Sequence, residues 1–281
     1  MKWIIGSLIT AVFIYFVISS GILDDILNAL KSVDQSRLLA GFLLYLASQI
    51  ARALRWWLLL SVRFDWVLCV SFVNVMLNNL LPARIGELSW FYFAKKAKIE
   101  LSASLWVFFI ARGFDLLSVV FFVLVVFEKE FFSMALLVFS LVVFVFIKKL
   151  RVSALEFLRK ISLKTYIGVF VLSVASLLLK FIGFVLVFNL WLEFKEASMS
   201  FVGGELSSIL PFHGLMGIGT FEAGFALPAA VRGQEALRWL SIGSAYHFIL
   251  LSFSLFLGLV GALYLRKLDV SYNVGSANAK Y

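Results

Sequence analysis

Proline, cysteine and charge are all scarce in this sequence. Three prolines and one cysteine occur in 281 residues, and Asp, Glu, Lys and Arg together make up 15%, where about 25% is usual in a soluble domain. The lone Cys69 excludes an intrachain disulfide framework and carries no redox information. The shortage of charge, with long apolar runs, excludes an intrinsically disordered chain. What is abundant is apolar: 63% of residues are hydrophobic, and Phe alone occupies 31 positions. A soluble multi-domain enzyme of this size has too few polar groups to cover such a surplus. Several stretches approach or exceed the ~20 apolar residues needed to cross a hydrocarbon core about 30 Å thick. The composition is that of an all-α polytopic integral membrane protein.

The net charge of +9 does not point to nucleic acid, because Lys and Arg sit in short clusters between apolar segments, as the positive-inside rule requires. The run from Trp3 to Ser20 follows Lys2 as a signal peptide would. It is longer than a usual signal h-region and shows no A-x-A site, so a retained first span is expected. Full spans are expected near 3–22, 38–60, 101–127, 131–147, 165–191 and 239–265, within one transmembrane domain over 1–281. Two further segments, about 66–95 and 198–231, each read as two short apolar halves around a Pro, Gly and polar break. Non-helical backbone at membrane depth is tolerated only where protein or a water-filled cavity satisfies it. Both therefore read as re-entrant helical hairpins, with kinked pairs of ordinary spans as the alternative, giving six to eight membrane helices.

With the N-terminus cytoplasmic, the inside loops collect sixteen basic residues, Arg52 and Arg55 among them, against four acidic ones, while the outside loops hold six and eight. That sorting places both termini in the cytoplasm of a cell (inner) membrane. The first hairpin then opens from the cytoplasm and the second from outside. Leu81-Pro82 followed by Gly86-Glu87 is echoed by Leu210-Pro211 followed by Gly217, Gly219 and Glu222. On opposite sides of the membrane these make an inverted repeat, and paired breaks of this kind point to a transporter's midplane site.

The ionisable residues left inside the membrane are Arg84, Arg112, Lys180, Glu87, Asp115, Glu205 and Glu222. Each costs on the order of 2.5–3.5 kcal/mol at a helix centre, so each is a functional candidate. Arg112 and Asp115 share one helix face and read equally as a self-neutralising structural pair. Lys180 has no carboxylate within three or four positions, so its counter-charge comes from another helix or from a ligand. Arg52 and Arg55 share a face before Trp56-Trp57, which fits snorkelling as well as phosphate binding. His247 reads as a hydrogen-bonded packing residue, whereas His213 lies in the second break, within reach of substrate. Neither the two histidines nor any other cluster forms a metal site, and no cofactor motif appears. Helix halves ending in mid-membrane present unpaired N–H groups and a positive dipole end, and Gly214, Gly217 and Gly219 allow close approach. Such a site suits an anionic, phosphate-containing amphiphile. The substrate-binding set expected is Arg52, Arg55, Asn78, Asn79, Arg84, Glu87, Arg112, Asp115, Lys180, His213, Gly217, Gly219 and Glu222, with Arg84, Arg112, Lys180, Glu87 and Glu222 meeting between the breaks.

Arg52-Ala53-Leu54-Arg55-Trp56, Asn78 through Glu87, Arg112-Gly113-Phe114-Asp115 and Pro211 through Glu222 resemble, in order, the lysylphosphatidylglycerol synthase transmembrane (flippase-like) family. The chain departs from it at Ala111, where Glu is frequent, and at Met216, where a second glycine is usual. The resemblance implies an all-helical inner-membrane protein that moves or handles phospholipids or polyprenyl-linked glycolipids. The soluble aminoacyl-transferring domain of larger members has no counterpart in this sequence. Three functions follow: a flippase for an anionic lipid or lipid-linked sugar, a membrane partner of a glycosyltransferase or lipid synthase, and a membrane-embedded headgroup transferase using Glu222, Glu87 or His213. The first accounts for most of the residues above. Against the transferase, the longest cytoplasmic loop, Lys148 to Lys164, is too short for a nucleotide or tRNA domain. Headgroup, transport direction, energy source and oligomeric state are not readable from the residues.

Overall fold

The computed structural model describes residues 2–60, 62–126, 161–208 and 214–268, and all regular structure among them is helical. The helices are α1 Lys2–Ser19, α2 Ile22–Lys31, α3 Gln35–Leu60, α4 Phe64–Leu80, α5 Leu88–Lys96, α6 Leu101–Val126, α7 Leu163–Phe188, α8 Phe194–Ser207, α9 Thr220–Val231 and α10 Ala236–Leu265. By length and hydropathy α3, α6, α7 and α10 can each cross a membrane. A fifth span is possible where α1 and α2 are joined by an 88° bend. Helix α1 lies where the first span near 3–22 is expected; it stops at Ser19, and Gly21, at φ 75°, turns the chain into α2. The span expected at 131–147 lies outside the described residues, as do Pro211 and His213; the side chain of Arg84 is outside them too.

The two broken segments separate into short helices. α4 ends at Leu80 and a 3₁₀ turn over Pro82–Glu87 leads into the nine residues of α5. A Cβ on Gly86 would fall on the backbone of Leu77 and Asn78, so only glycine lets this turn fold back on the end of α4. Asn74 Nδ2 donates to the Gly86 carbonyl at 3.2 Å and holds it there. The second segment comprises α8, a 3₁₀ turn at Leu215–Gly217 and α9. Pro228 inside α9 supplies no N–H for the Gly224 carbonyl. A Cβ on Gly203 of α8 would fall on that freed oxygen, so small residues let α8 and α9 approach backbone to backbone.

The helices group into two compact units. Unit 1 comprises residues 1–46, 73–87 and 179–259, and unit 2 comprises 47–72, 88–178 and 260–281. In unit 1, Phe184, Phe201, Phe225 and Tyr246, from four helices, are buried against one another, with Phe184 4.8 Å from Tyr246 and 5.1 Å from Phe225 between ring centroids. The first break, the second break and α1 also lie against one another within this unit. In unit 2, Trp56 and Trp90 pack at 4.2 Å, and the Trp90 indole donates to the Ser104 carbonyl at 3.1 Å. Between lipid-embedded helices such contacts act through close packing and dispersion more than through exclusion of water.

Candidate functional site

Unit 2 gathers charge around Asp115. Arg55 sits near the end of α3 and is 1% exposed. Its Nη1 donates to Asp115 Oδ1 at 2.5 Å and to Ser173 Oγ of α7 at 2.7 Å. Ser173 Oγ in turn donates to the Val169 carbonyl at 2.8 Å. Arg112 reaches the other carboxylate oxygen at 3.4 Å and lies 5.5 Å over the Phe108 ring. Arg52, one turn before Arg55, acts on Asp115 electrostatically. Three guanidinium groups from α3 and α6 thus share one carboxylate on α6, with Ser173 of α7 as a further acceptor.

This geometry corrects two sequence readings. Arg55 does not snorkel; it is buried and bound inward, so neither it nor Arg52, also within α3, belongs to a loop in the topology count. Asp115 is also not reserved for Arg112, since its shorter bond is to Arg55.

Unit 1 holds the remaining described candidates in two groups. Lys180 of α7 donates to Glu205 of α8 at 2.6 Å, so another helix supplies the counter-charge it needs. The Tyr246 hydroxyl donates to the Lys180 carbonyl at 3.4 Å, and Lys180, Tyr45, Gly41 and Gly183 line a small cleft with Tyr246 and Phe253. Glu222, in the first turn of α9, accepts the Gly219 N–H at 2.7 Å and is bound at its other oxygen to His247 Nδ1 of α10 at 2.6 Å. Gly217 and Gly219 adopt φ of 80° and 90°, and Met216 a φ of 58° that costs a side-chain-bearing residue strain. Thr10 of α1 secures the same turn, accepting the Leu215 N–H at 2.7 Å and donating to the Ile218 carbonyl at 3.4 Å.

Asn78 Nδ2 donates to Asn74 Oδ1 at 3.1 Å, Asn79 ends α4 beside it, and Glu87 closes the first break. The hydrogen bonds therefore sort the expected residues into an arginine–aspartate cluster in unit 2 and two ion pairs in unit 1. The meeting of all five expected charges is not what these bonds describe: Arg112 pairs with Asp115, Lys180 with Glu205 and Glu222 with His247. Sequence reasoning did not name Ser173, Thr10 or Glu205 as partners; His247, read as a hydrogen-bonded packing residue, is hydrogen-bonded, and its partner is Glu222.

The sequence matches the family described as lysylphosphatidylglycerol synthase TM region over residues 3–258. The chain belongs to that family. No curated protein and no solved structure matches it. Family membership makes this a multi-pass membrane protein related to lipid handling, and the four to five candidate spans among the described residues agree with the multi-pass part. The arginine cluster and both breaks fall inside the matched region of this family member.

Proposed function

We propose that the protein binds the anionic, phosphate-bearing headgroup of a lipid or lipid-linked sugar and moves it across the membrane. One observation carries the reading: Arg52, Arg55 and Arg112 surround Asp115 on helices apolar enough to span a bilayer. Three positive charges against one negative charge in such helices are balanced by a bound anion, and guanidinium matches phosphate oxygens bidentately. The two breaks, packed together beside α1, supply the irregular backbone expected of a translocation path. In this reading the segments 66–95 and 198–231 are re-entrant and related as an inverted repeat, within six to eight membrane helices. Lys180, Glu87, Asn78, Asn79, Gly217, Gly219 and Glu222 line the path, and the termini face the cytoplasm of the inner membrane.

Mass spectrometry of lipids that copurify with the full chain tests this. Phosphate-bearing lipids should be retained by the wild type. Arg112→Leu should retain about 10- to 100-fold less, the loss of one charge-assisted bond worth about 1.5–3 kcal/mol. Equal retention by a folded Arg112→Leu variant would contradict the reading.

A further inference from the structure

The Glu222–His247 pair is built for more than packing. Glu222 and His247 are 3% and 8% exposed. Glu222 uses both oxygens, one for the Gly219 N–H and one for His247 Nδ1. The opposite edge of the imidazole faces the backbone of Gly217: a Cβ there would lie 3.2 Å from Cε1 and 3.3 Å from Nε2. The Phe221 ring covers the imidazole at 4.6 Å between centroids. No group of three metal-ligating side chains occurs among the described residues, so the pair has too few ligands for a metal site of its own.

We propose that Glu222 and His247 form a proton-binding site whose occupancy drives the Leu215–Gly217 turn between two conformations, making lipid movement proton-coupled; this rests on the translocation reading above. With one proton shared between Nδ1 and Oε1, the pair carries a single negative charge, eased by the N-terminus of α9. Taking up a second proton at Nε2 makes the pair neutral, with no other bond made or broken. Protonation also turns Nε2 from acceptor into donor, aimed at the Gly217 turn. In that turn the Gly214 carbonyl already accepts the Gly217 N–H, the Leu215 carbonyl the Ile218 N–H, and the Gly217 carbonyl the Thr220 hydroxyl. A donor at Nε2 is met by the second lone pair of one of these carbonyls or by water, and in the proposal the turn shifts to bring one of them within reach.

The elements packed on the turn add little competing charge. Helix α1 brings Thr10, Ile9 and Phe13, none of which titrates. The first break brings Glu87 and, in sequence, Arg84. On α8, Glu205 is bound to Lys180, and on α10 the neighbouring Tyr246 hydroxyl is bound to the Lys180 carbonyl.

The experiment uses the full chain in vesicles of phosphatidylethanolamine and phosphatidylglycerol carrying fluorescent phosphatidylglycerol as probe. An imposed gradient of about one pH unit, a tenfold difference in proton activity, should change the rate of probe translocation by the wild type. Glu222→Gln and His247→Gln should lose that response while melting as folded proteins. A gradient response that persists in folded His247→Gln overturns the inference. If the wild type moves no probe with or without a gradient, it is the translocation reading that fails, and ¹⁵N-histidine NMR of the same protein decides the proton site alone. The chain has only two histidines, His213 and His247, so the spectrum is readable. The inference requires the His247 ring to change protonation between about pH 5 and 8, with a response altered in Glu222→Gln. A His247 ring in one protonation state throughout that range overturns it.

Discussion

A guanidinium as deeply buried as that of Arg55 calls for acceptors, and Asp115 and Ser173 meet it at Nη1. The two acceptors are unequal. Ser173→Ala removes one hydrogen bond to a charged group, a loss of about 1.5–3 kcal/mol. Asp115→Asn leaves three arginines without their carboxylate and should cost more, about 3–5 kcal/mol. Reversible unfolding in detergent should rank them in that order, and the reverse order would mean that Asp115 is not the hub of the cluster. At this scale the sequence was partly legible. Pro82, Gly86, Gly217 and Gly219 announced the breaks because missing donors and missing Cβ atoms act locally. The pairings were not legible: Arg55 and Asp115 are 60 residues apart, Lys180 and Glu205 are 25 apart, and so are Glu222 and His247. Which charges meet is decided by which helices pack, and apolar composition alone does not specify that.

Single helices show what starts and stops them. Helix α3 begins just after Asp34, whose carboxylate accepts the Ser36 N–H at 3.1 Å and the Ser36 hydroxyl. The bond from the Ser36 hydroxyl holds the Asp34 carboxyl below the usual carboxylate range, with help from the Ser36 and Arg37 N–H groups. A depressed folded value contributes stability above the unfolded value, near pH 4, and loses it as pH falls through the folded one. Protection factors in the first turn of α3, with the intrinsic exchange rate divided out, should therefore fall on acidification below about pH 4, and Asp34→Ala should show the lower protection already at neutral pH. Protection in the wild type that ignores this acid limb would remove Asp34 as the cap. Helix α10 has the opposite character, 30 residues long and mostly apolar. Its length and hydropathy were readable, but its role in holding Glu222 through His247 was not, because a lone histidine in an apolar helix carries no directional signal.

For the molecule as a whole, the excess of positive charge sets an orientation that can be tested directly. Cysteine at Lys31 or Lys195 should label from outside, and cysteine at Lys96 or Lys267 should not; accessibility of Lys96 from outside would invert the proposed topology. The helical membrane class and the family were legible from composition and ordered motifs, because both depend on runs and spacings along the chain. The central claim, that guanidinium groups in the membrane carry an anionic headgroup across it, rests on charges that no run or spacing could place together. Headgroup translocation in proteoliposomes of the full chain, measured beside a melting curve, tests it most directly. Arg112→Leu and Lys180→Met should lose translocation while remaining inserted and folded, and Lys267→Gln, beyond the end of α10, should translocate as the wild type does. Normal translocation by Arg112→Leu, with only its melting temperature lowered, would make the arginine cluster a structural clasp and contradict the account.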